Sequence, residues 1–128
     1  MRILLADDHR LVLERVSALL QSSFDVIGKA GNGKELVAEA MRLNPDVIVA
    51  DIFMPLMTGI EAAHELHKAG SRAKFVFLTV HSEDEVVQAC MAEGALGYVV
   101  KSHMGSDLIP AINAACNGQR YISRSASH

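Results

Sequence analysis

The sequence predicts an α/β domain in which a parallel β-sheet carries helices on both faces. Short apolar runs alternate with amphipathic segments along the whole chain, which is the pattern of consecutive β-α units. Several of the apolar runs end at a polar residue, as strands do where they meet a ligand-binding edge. Half of the 128 residues are hydrophobic, so the chain is long enough and apolar enough for one core.

Three strands and two helices are predicted in the first part of the chain. The strands cover residues 3–6, residues 24–30 and about residues 46–50. The helices follow the first and second strands, and their apolar positions recur at helical spacing. These positions are Val12, Val16, Leu19 and Leu20, then Leu36, Val37, Ala40 and Met41. Gly31-Asn32-Gly33 and Asn44-Pro45 mark turns between the elements.

The second part of the chain continues the alternation. A third helix ends at Gly70, a fourth strand covers residues 74–78, and a fourth helix ends near Gly94. A short fifth strand at residues 98–100 precedes a last helix that ends at Gly118. The apolar positions of these three helices are Ile60, Ala63 and Leu66, then Val86, Val87, Cys90 and Met91, then Leu108, Ile112, Ala115 and Cys116.

Five β-α units with right-handed crossovers leave few topologies. At this length we predict a flavodoxin-like (βα)5 doubly wound parallel sheet with strand order 2-1-3-4-5. The first and third strands are then neighbours, and their carboxyl ends share one edge of the sheet. Five polar residues stand at the strand ends: Asp7, Asp8, Asp51, Thr79 and Lys101. The sequence therefore predicts a single site at this edge.

The composition argues against several other roles. A net charge of −3 disfavours binding of nucleic acid or anionic membrane by this domain itself, and no apolar run approaches the length of a membrane span. The strand pattern starts directly after Met1-Arg2, which leaves no room for a signal peptide, and Cys90 and Cys116 are expected to be buried, unreactive thiols. We expect a cytoplasmic domain over residues 1–118, followed by a tail or the start of a linker at residues 119–128.

The acidic residues predict a magnesium site. Three carboxylates that lie close together repel one another, and a divalent cation removes that conflict. Mg²⁺ prefers hard oxygen ligands, takes one or two carboxylates directly and keeps several waters. Asp8 and Asp51 as direct ligands, with Asp7 partly through water, fit this coordination preference. Metals that prefer histidine or thiolate do not fit.

The same five residues suit phosphoryl transfer. Asp51 at the end of the central strand is placed as a nucleophile that can accept a phosphoryl group as a mixed anhydride. Lys101 offers a compact positive charge to that group, and the Thr79 hydroxyl can donate a hydrogen bond. Taken alone, Asp7 and Asp8 would suit a helix N-terminus and Thr79 would suit a strand, but their combination with Asp51 and Lys101 favours a site.

The histidines are assigned no function. His64 and His67 lack the i, i+4 spacing of a zinc-binding helix and are expected to be solvated helix residues. His9, His81 and His103 fall near the rim of the acidic edge.

Four motifs, in this order, resemble the signature of bacterial response-regulator receiver domains over essentially the whole chain. They are Asp7-Asp8, Asp51-Ile52-Phe53-Met54-Pro55 with Gly59, Leu78-Thr79 and Gly97-Tyr98-Val99-Val100-Lys101. The resemblance implies Mg²⁺ binding by Asp7, Asp8 and Asp51, with the backbone carbonyl of Phe53 as a further ligand. It implies that Asp51 takes a phosphoryl group from the histidine of a sensor kinase. Thr79 and Tyr98 would form a switch pair, in which the hydroxyl moves to the phosphate and the ring follows inward.

Further residues resemble the subgroup of receivers joined to a LuxR/NarL-type helix-turn-helix. They are Ser102, where many receivers carry Pro, with residues 78–81 and residues 117–123. This implies transcription regulation through a DNA-binding output domain that this sequence does not contain, and homodimerisation on phosphorylation. The chain would not be an enzyme, apart from promoting its own phosphorylation and dephosphorylation.

Two residues depart from the receiver pattern beside the acceptor. Val80 stands where receivers usually have Ala, Ser or Gly, and Phe53 cannot hydrogen-bond an attacking water. We predict that both slow the loss of the phosphoryl group.

Three other functions are compatible with parts of the pattern. A Mg²⁺-dependent aspartyl phosphatase typically carries a second Asp two residues after the nucleophile, where this chain has Phe53. A flavin-binding module needs a hydroxyl- and Gly-rich loop after the first strand, where residues 6–10 are acidic instead. A degenerate receiver that serves only as a docking surface is disfavoured by the complete residue set.

Overall fold

The computed structural model describes residues 1–81 and 83–123 and contains one parallel sheet flanked by helices. Its strands are β1 (Arg2–Ala6), β2 (Asp25–Ala30), β3 (Val47–Ala50), β4 (Lys74–Thr79), β5 (Gly97–Val100) and β6 (Tyr121–Ile122). Its helices are α1 (Arg10–Leu20), α2 (Gly33–Leu43), α3 (Gly59–Lys68), α4 (Asp84–Ala92) and α5 (Met104–Cys116). A short 3₁₀ turn, Lys101–His103, joins β5 to α5.

The strand order β2-β1-β3-β4-β5-β6 confirms the predicted order of the first five strands and adds a sixth. Tyr121 and Ile122, which the sequence placed in the tail, pair in parallel with Gly97 and Tyr98 of β5. A two-residue strand is too short to produce a hydrophobic alternation, and so the sequence pattern could not reveal it. Residues 124–128 of the predicted tail lie outside the described residues.

The alternation of side chains divides the core between the two faces of the sheet. Leu4 and Ile48 point to the face covered by α2, α3 and α4, whereas Leu5 and Val49 point to the face covered by α1 and α5. All four residues of β3 are buried, as expected of a central strand covered on both faces. Within residues 1–81 and 83–123, no helix combines the length and apolar character that crossing a membrane requires.

The two cysteines differ in their surroundings. Cys90 lies on the buried side of α4, and burial raises the pKa of its thiol to about 12. Cys116, at the end of α5, is only partly buried. The predicted burial is therefore confirmed for Cys90 and not for Cys116.

The loop between β3 and α3 is held tightly against the end of β3. The Gly59 N–H donates to the Ile52 carbonyl at 2.6 Å. Thr58 and Glu61 form a capping box, with side-chain-to-backbone hydrogen bonds of 3.1 and 2.9 Å, which satisfies amides at the start of α3. A Cβ on Gly59 would collide with the backbone carbonyl oxygen of Asp51. Gly59 therefore permits the close approach that fixes the backbone at Asp51.

We expect Gly59→Ala to lower the free energy of unfolding by about 1–3 kcal/mol, because the added methyl forces the loop away from Asp51. Gly105 is a matched control, since it also lies in the first turn of a helix but an added Cβ meets nothing within 4 Å. Gly105→Ala should raise stability by about 0.4–1 kcal/mol. Urea unfolding of both variants measures the difference, and a Gly59→Ala protein as stable as the parent would contradict the packing argument.

Candidate functional site

The acidic residues meet where β1 and β3 end side by side. Ala6 pairs with Ala50 in the sheet, and the next residue along each strand is an aspartate. The Asp51 N–H donates to the Ala6 carbonyl at 2.9 Å, and the Asp7 N–H donates to the Ala30 carbonyl at 3.0 Å. The backbone hydrogen bonding of the sheet thus extends to Asp7 and Asp51 themselves, which fixes where their carboxylates start. The structure confirms the predicted meeting of the three acids at this edge.

Lys101 lies between two of the carboxylates. Its Nζ is 2.8 Å from Asp7 Oδ2 and 3.0 Å from Asp51 Oδ2, and its side chain is 12% exposed. Burial alone lowers the pKa of the Lys101 ammonium, but the hydrogen bond with Asp7 and the attraction of Asp51 outweigh it, so the net pKa lies above the ordinary value. Lys101 is therefore charged at neutral pH and offsets the repulsion of the buried acids.

The Asp51 carboxylate is held by both of its oxygens. Oδ1 accepts the backbone N–H of Ile52 at 2.7 Å, and Oδ2 accepts the Lys101 ammonium. The residue is buried but lies at the edge of the crevice. A carboxylate fixed in this way is oriented before any ligand arrives, which is the condition for efficient attack.

Four side chains form a cluster that could hold a metal ion. One ligand atom from each of Asp7, Asp8, His9 and Asp51 lies within 4.8 Å of the others. Asp8 is the more exposed acid, whereas Asp7 and Asp51 are buried. His9 Nδ1 lies 3.1 Å from Asp7 Oδ1 and 3.2 Å from Asp8 Oδ1. Hard carboxylate oxygens that open toward solvent fit Mg²⁺, which keeps part of its water shell.

Thr79 and Tyr98 both contact His81 in the loop after β4. The Thr79 hydroxyl oxygen accepts the His81 N–H at 3.3 Å, and the Tyr98 hydroxyl donates to the His81 carbonyl at 2.6 Å. The Tyr98 ring is fully buried, and burial raises the pKa of its phenol. Thr79 and Tyr98 thus bind the backbone N–H and the backbone carbonyl of His81, which belong to consecutive peptide units.

Phe53 and Val80 lie at the rim of the site. The Phe53 ring is 50% exposed and packs edge to face against the His81 ring, with centroids 4.6 Å apart. Val80 is 67% exposed. Exposed apolar side chains near Asp51 leave this rim partly lined by groups that do not hydrogen-bond.

Two features of the site were not assigned by the sequence analysis. His9 joins the acidic cluster, and its position directly after Asp7-Asp8 was the only available signal. His81 acts through its backbone N–H and C=O, which carry no residue-specific signature. Elsewhere, His64 and His67 are exposed residues of α3, as expected, and each also contacts Glu93 Oε1, at 3.2 and 3.5 Å.

The family model for the response regulator receiver domain matches residues 3–113. The chain is 39% identical over 120 residues to the uncharacterized transcriptional regulatory protein YxjL of Bacillus subtilis, covering 92% of this chain and 55% of the relative. It is 38% identical over 120 residues to the transcriptional regulatory protein LiaR of the same organism, covering 92% and 57%. The chain thus spans a little over half the length of these curated relatives.

A solved structure shares both the fold and part of the sequence. It is the two-component response regulator of the LuxR family from Aurantimonas sp. SI85-9A1, which superposes with a TM-score of 0.93 at 30% identity. The match covers 98% of this chain and 91% of that chain.

Replacing Lys101 by Met should destabilise the fold, because Asp7 and Asp51 lose their counter-charge. We expect a cost between the ~1 kcal/mol of an exposed ion pair and the ~3–5 kcal/mol of a fully buried one. Adding Mg²⁺ should recover part of the loss, and a chelator should abolish the recovery. Urea unfolding with and without Mg²⁺ provides the measurement.

The matched control for this substitution is Lys29→Met, which removes an exposed lysine of β2. It should change stability by less than about 0.5 kcal/mol and should not alter the response to Mg²⁺. Equal effects of the two substitutions would contradict the compensating role of Lys101.

Proposed function

The chain belongs to the response regulator receiver domain family, and we propose that it takes a phosphoryl group from the phosphohistidine of a sensor histidine kinase onto Asp51. The observation that carries this proposal is the environment of the Asp51 carboxylate. It is buried, oriented by the Ile52 N–H, and lies 3.0 Å from the Lys101 ammonium beside two further acids. This combination supports an acceptor better than a docking surface, which needs no such group.

In the proposed transfer, one Asp51 carboxylate oxygen attacks the phosphorus of the donor. The new O–P bond forms as the P–N bond to the donor imidazole breaks, and the electron pair of that bond stays on the imidazole nitrogen. Lys101, which contacts Asp51 before the reaction, remains next to the phosphoryl oxygens and offsets their charge. The buried Ile52 N–H keeps the carboxylate aligned throughout.

The donor set also supports a resident Mg²⁺ in the proposal. Asp8 and Asp51, with Asp7 and the Phe53 backbone carbonyl, would hold the ion. When bound, Mg²⁺ neutralises the charge shared by the carboxylates and the incoming phosphoryl oxygens. The chain is then no enzyme toward outside substrates, because the only group that it modifies is its own aspartate.

We further propose that Thr79 and Tyr98 convert phosphorylation into a change of shape. A phosphoryl group on Asp51 adds charge and acceptor oxygens, to which the Thr79 hydroxyl can donate. The Tyr98 ring is already inward and bonded to the His81 carbonyl. Phosphorylation would therefore raise the population of an arrangement that the unmodified chain can reach, rather than create a new one.

The output in this proposal is transcription regulation through a DNA-binding domain outside this chain. Relatives that carry the name of transcriptional regulatory proteins support it, and they are longer than the matched region. Homodimerisation of the phosphorylated receiver would bring two such domains together on a two-fold symmetric site.

Incubation with Mg²⁺ and a small acyl or amido phosphate donor should add the mass of one phosphate to the intact chain. Asp51→Asn should abolish the gain, because an amide is a poor nucleophile. Asp46→Asn is a suitable control: Asp46 lies just before β3, at the opposite end of that strand from Asp51, and accepts the Arg2 N–H at 2.8 Å. An unmodified parent chain under these conditions would favour the docking-surface alternative.

The lifetime of the phosphorylated state tests the roles of Phe53 and Val80. The double variant Phe53→Asn, Val80→Ala should lose its phosphoryl group about tenfold faster, a change of ~1.4 kcal/mol in the barrier, because the amide can orient water and access widens. Phe53→Leu keeps the apolar surface and should retain slow loss. Equal decay of phospho-Asp51 in the parent and the double variant would refute the idea.

A further inference from the structure

The C-terminal segment, residues 119–123, is attached to the edge of β5 by backbone hydrogen bonds. The Tyr121 N–H donates to the Leu96 carbonyl and the Ser123 N–H donates to the Tyr98 carbonyl, each at 2.8 Å. The side chains of Tyr121 and Ile122 pack against opposite faces of the core. The segment therefore continues the sheet rather than leaving it after α5.

Asp107, in the first turn of α5, binds this segment with both carboxylate oxygens. Oδ1 accepts the Tyr121 hydroxyl at 3.0 Å, and Oδ2 accepts the Ser123 hydroxyl at 2.9 Å. Ser106 donates a third hydroxyl to Oδ1 at 3.3 Å. Burial disfavours the charged form, but the three hydroxyl groups, with Ser123 foremost, outweigh it, and the pKa of Asp107 lies below its ordinary value.

Ser123 connects the segment to the residue just before Lys101. Its oxygen accepts the Val100 N–H at 3.2 Å, and the residue is buried. The Val100 amide lies on the same edge of β5, just beyond its pairing with β6, where a buried N–H without a partner is unfavourable. The Ser123 hydroxyl thus satisfies the Val100 N–H at the end of β5, and Asp107 orients that hydroxyl by accepting its proton in a hydrogen bond.

We propose that Asp107 is a positioning residue that holds residues 119–123 against β5, an arrangement called the clasp below. We also propose that phosphorylation of Asp51 changes how firmly Ser123 is held. This coupling rests on the proposed function. Tyr98 bonds His81 through its hydroxyl and Ser123 through its backbone carbonyl, and Val100 precedes the lysine that contacts Asp51. The route from Asp51 through Lys101 and Val100 to Ser123 therefore crosses the end of β5 and two hydrogen bonds.

Amide hydrogen exchange, measured by NMR on the full chain, tests the clasp. In the unphosphorylated protein, Asp107→Ala and Ser123→Ala should each increase exchange at the Tyr121 and Ser123 amides by about tenfold. Tyr121→Phe removes one hydroxyl, keeps the ring and should give a smaller increase. Ser106→Ala, which removes a hydroxyl that does not touch the segment, should leave both amides within about twofold of the parent. Unchanged exchange in Asp107→Ala and Ser123→Ala would overturn the clasp.

The coupling is tested on the chain treated with Mg²⁺ and a phosphate donor, with its mass recorded in parallel. A chain that gains one phosphate should show at least about threefold slower exchange at the Tyr121 and Ser123 amides. A Tyr98 ring held more firmly in its buried position also holds the Tyr98 carbonyl, which accepts the Ser123 N–H. A phosphorylated chain with unchanged exchange would overturn the coupling while leaving the proposed function intact. A chain without the mass gain would overturn both the proposed function and the coupling. The clasp would then be decided by hydrogen exchange of the unphosphorylated variants.

Discussion

Repulsion among three carboxylates at one edge of the sheet is the constraint on which the rest of the site depends. The order β2-β1-β3 places the ends of β1 and β3 side by side, so Asp7 and Asp51 lie close together. Lys101 reaches them from the end of β5, two strands away from β3, and contacts both. The parallel arrangement of all the strands makes this possible, because it brings every carboxyl end to the same edge. A cation bound beside Asp8 would offset the same charges, whereas a phosphoryl group on Asp51 would add negative charge that Lys101 and such a cation would then have to offset.

The same geometry explains how a chemical change at Asp51 could alter the positions of residues around His81, Tyr98 and Ser123. Thr79 ends β4 opposite Val100, the residue before Lys101, so the groups that would contact a phosphoryl group are anchored in β4, which leads to His81, and in β5, which carries Tyr98. His81 joins these strands through its backbone, and Tyr98 in turn holds Ser123. These hydrogen bonds connect the loop after β4 to Ser123 through the close-packed strand β5, and a close-packed interior transmits strain.

The sequence was sufficient for the order of the first five strands and for the meeting of Asp7, Asp8, Asp51 and Lys101 at one edge, and the reasons are physical. Strand ends such as Ala6-Asp7 and Ala50-Asp51 are visible because an apolar run stops at a charge, and parallel topology then brings these ends together. The sixth strand was hidden because its stability comes from contacts with Leu96, Tyr98 and Asp107, which are distant along the chain. The hydrogen bonds of His81 were hidden because its backbone N–H and C=O make them, and every residue other than proline has both groups. Gly59 was recognised as part of a motif, but its close approach to the Asp51 carbonyl required coordinates.

The most direct test of the account is to identify the modified atom. After treatment with Mg²⁺ and a small phosphate donor, the chain is reduced with borohydride, which converts an aspartyl phosphate to homoserine, and the digested peptides are sequenced by mass spectrometry. The account predicts homoserine at position 51 and unmodified aspartate at positions 7 and 8. Homoserine at another position, or a phosphate that resists reduction because it is attached to a hydroxyl, would contradict the assignment of Asp51 as the acceptor.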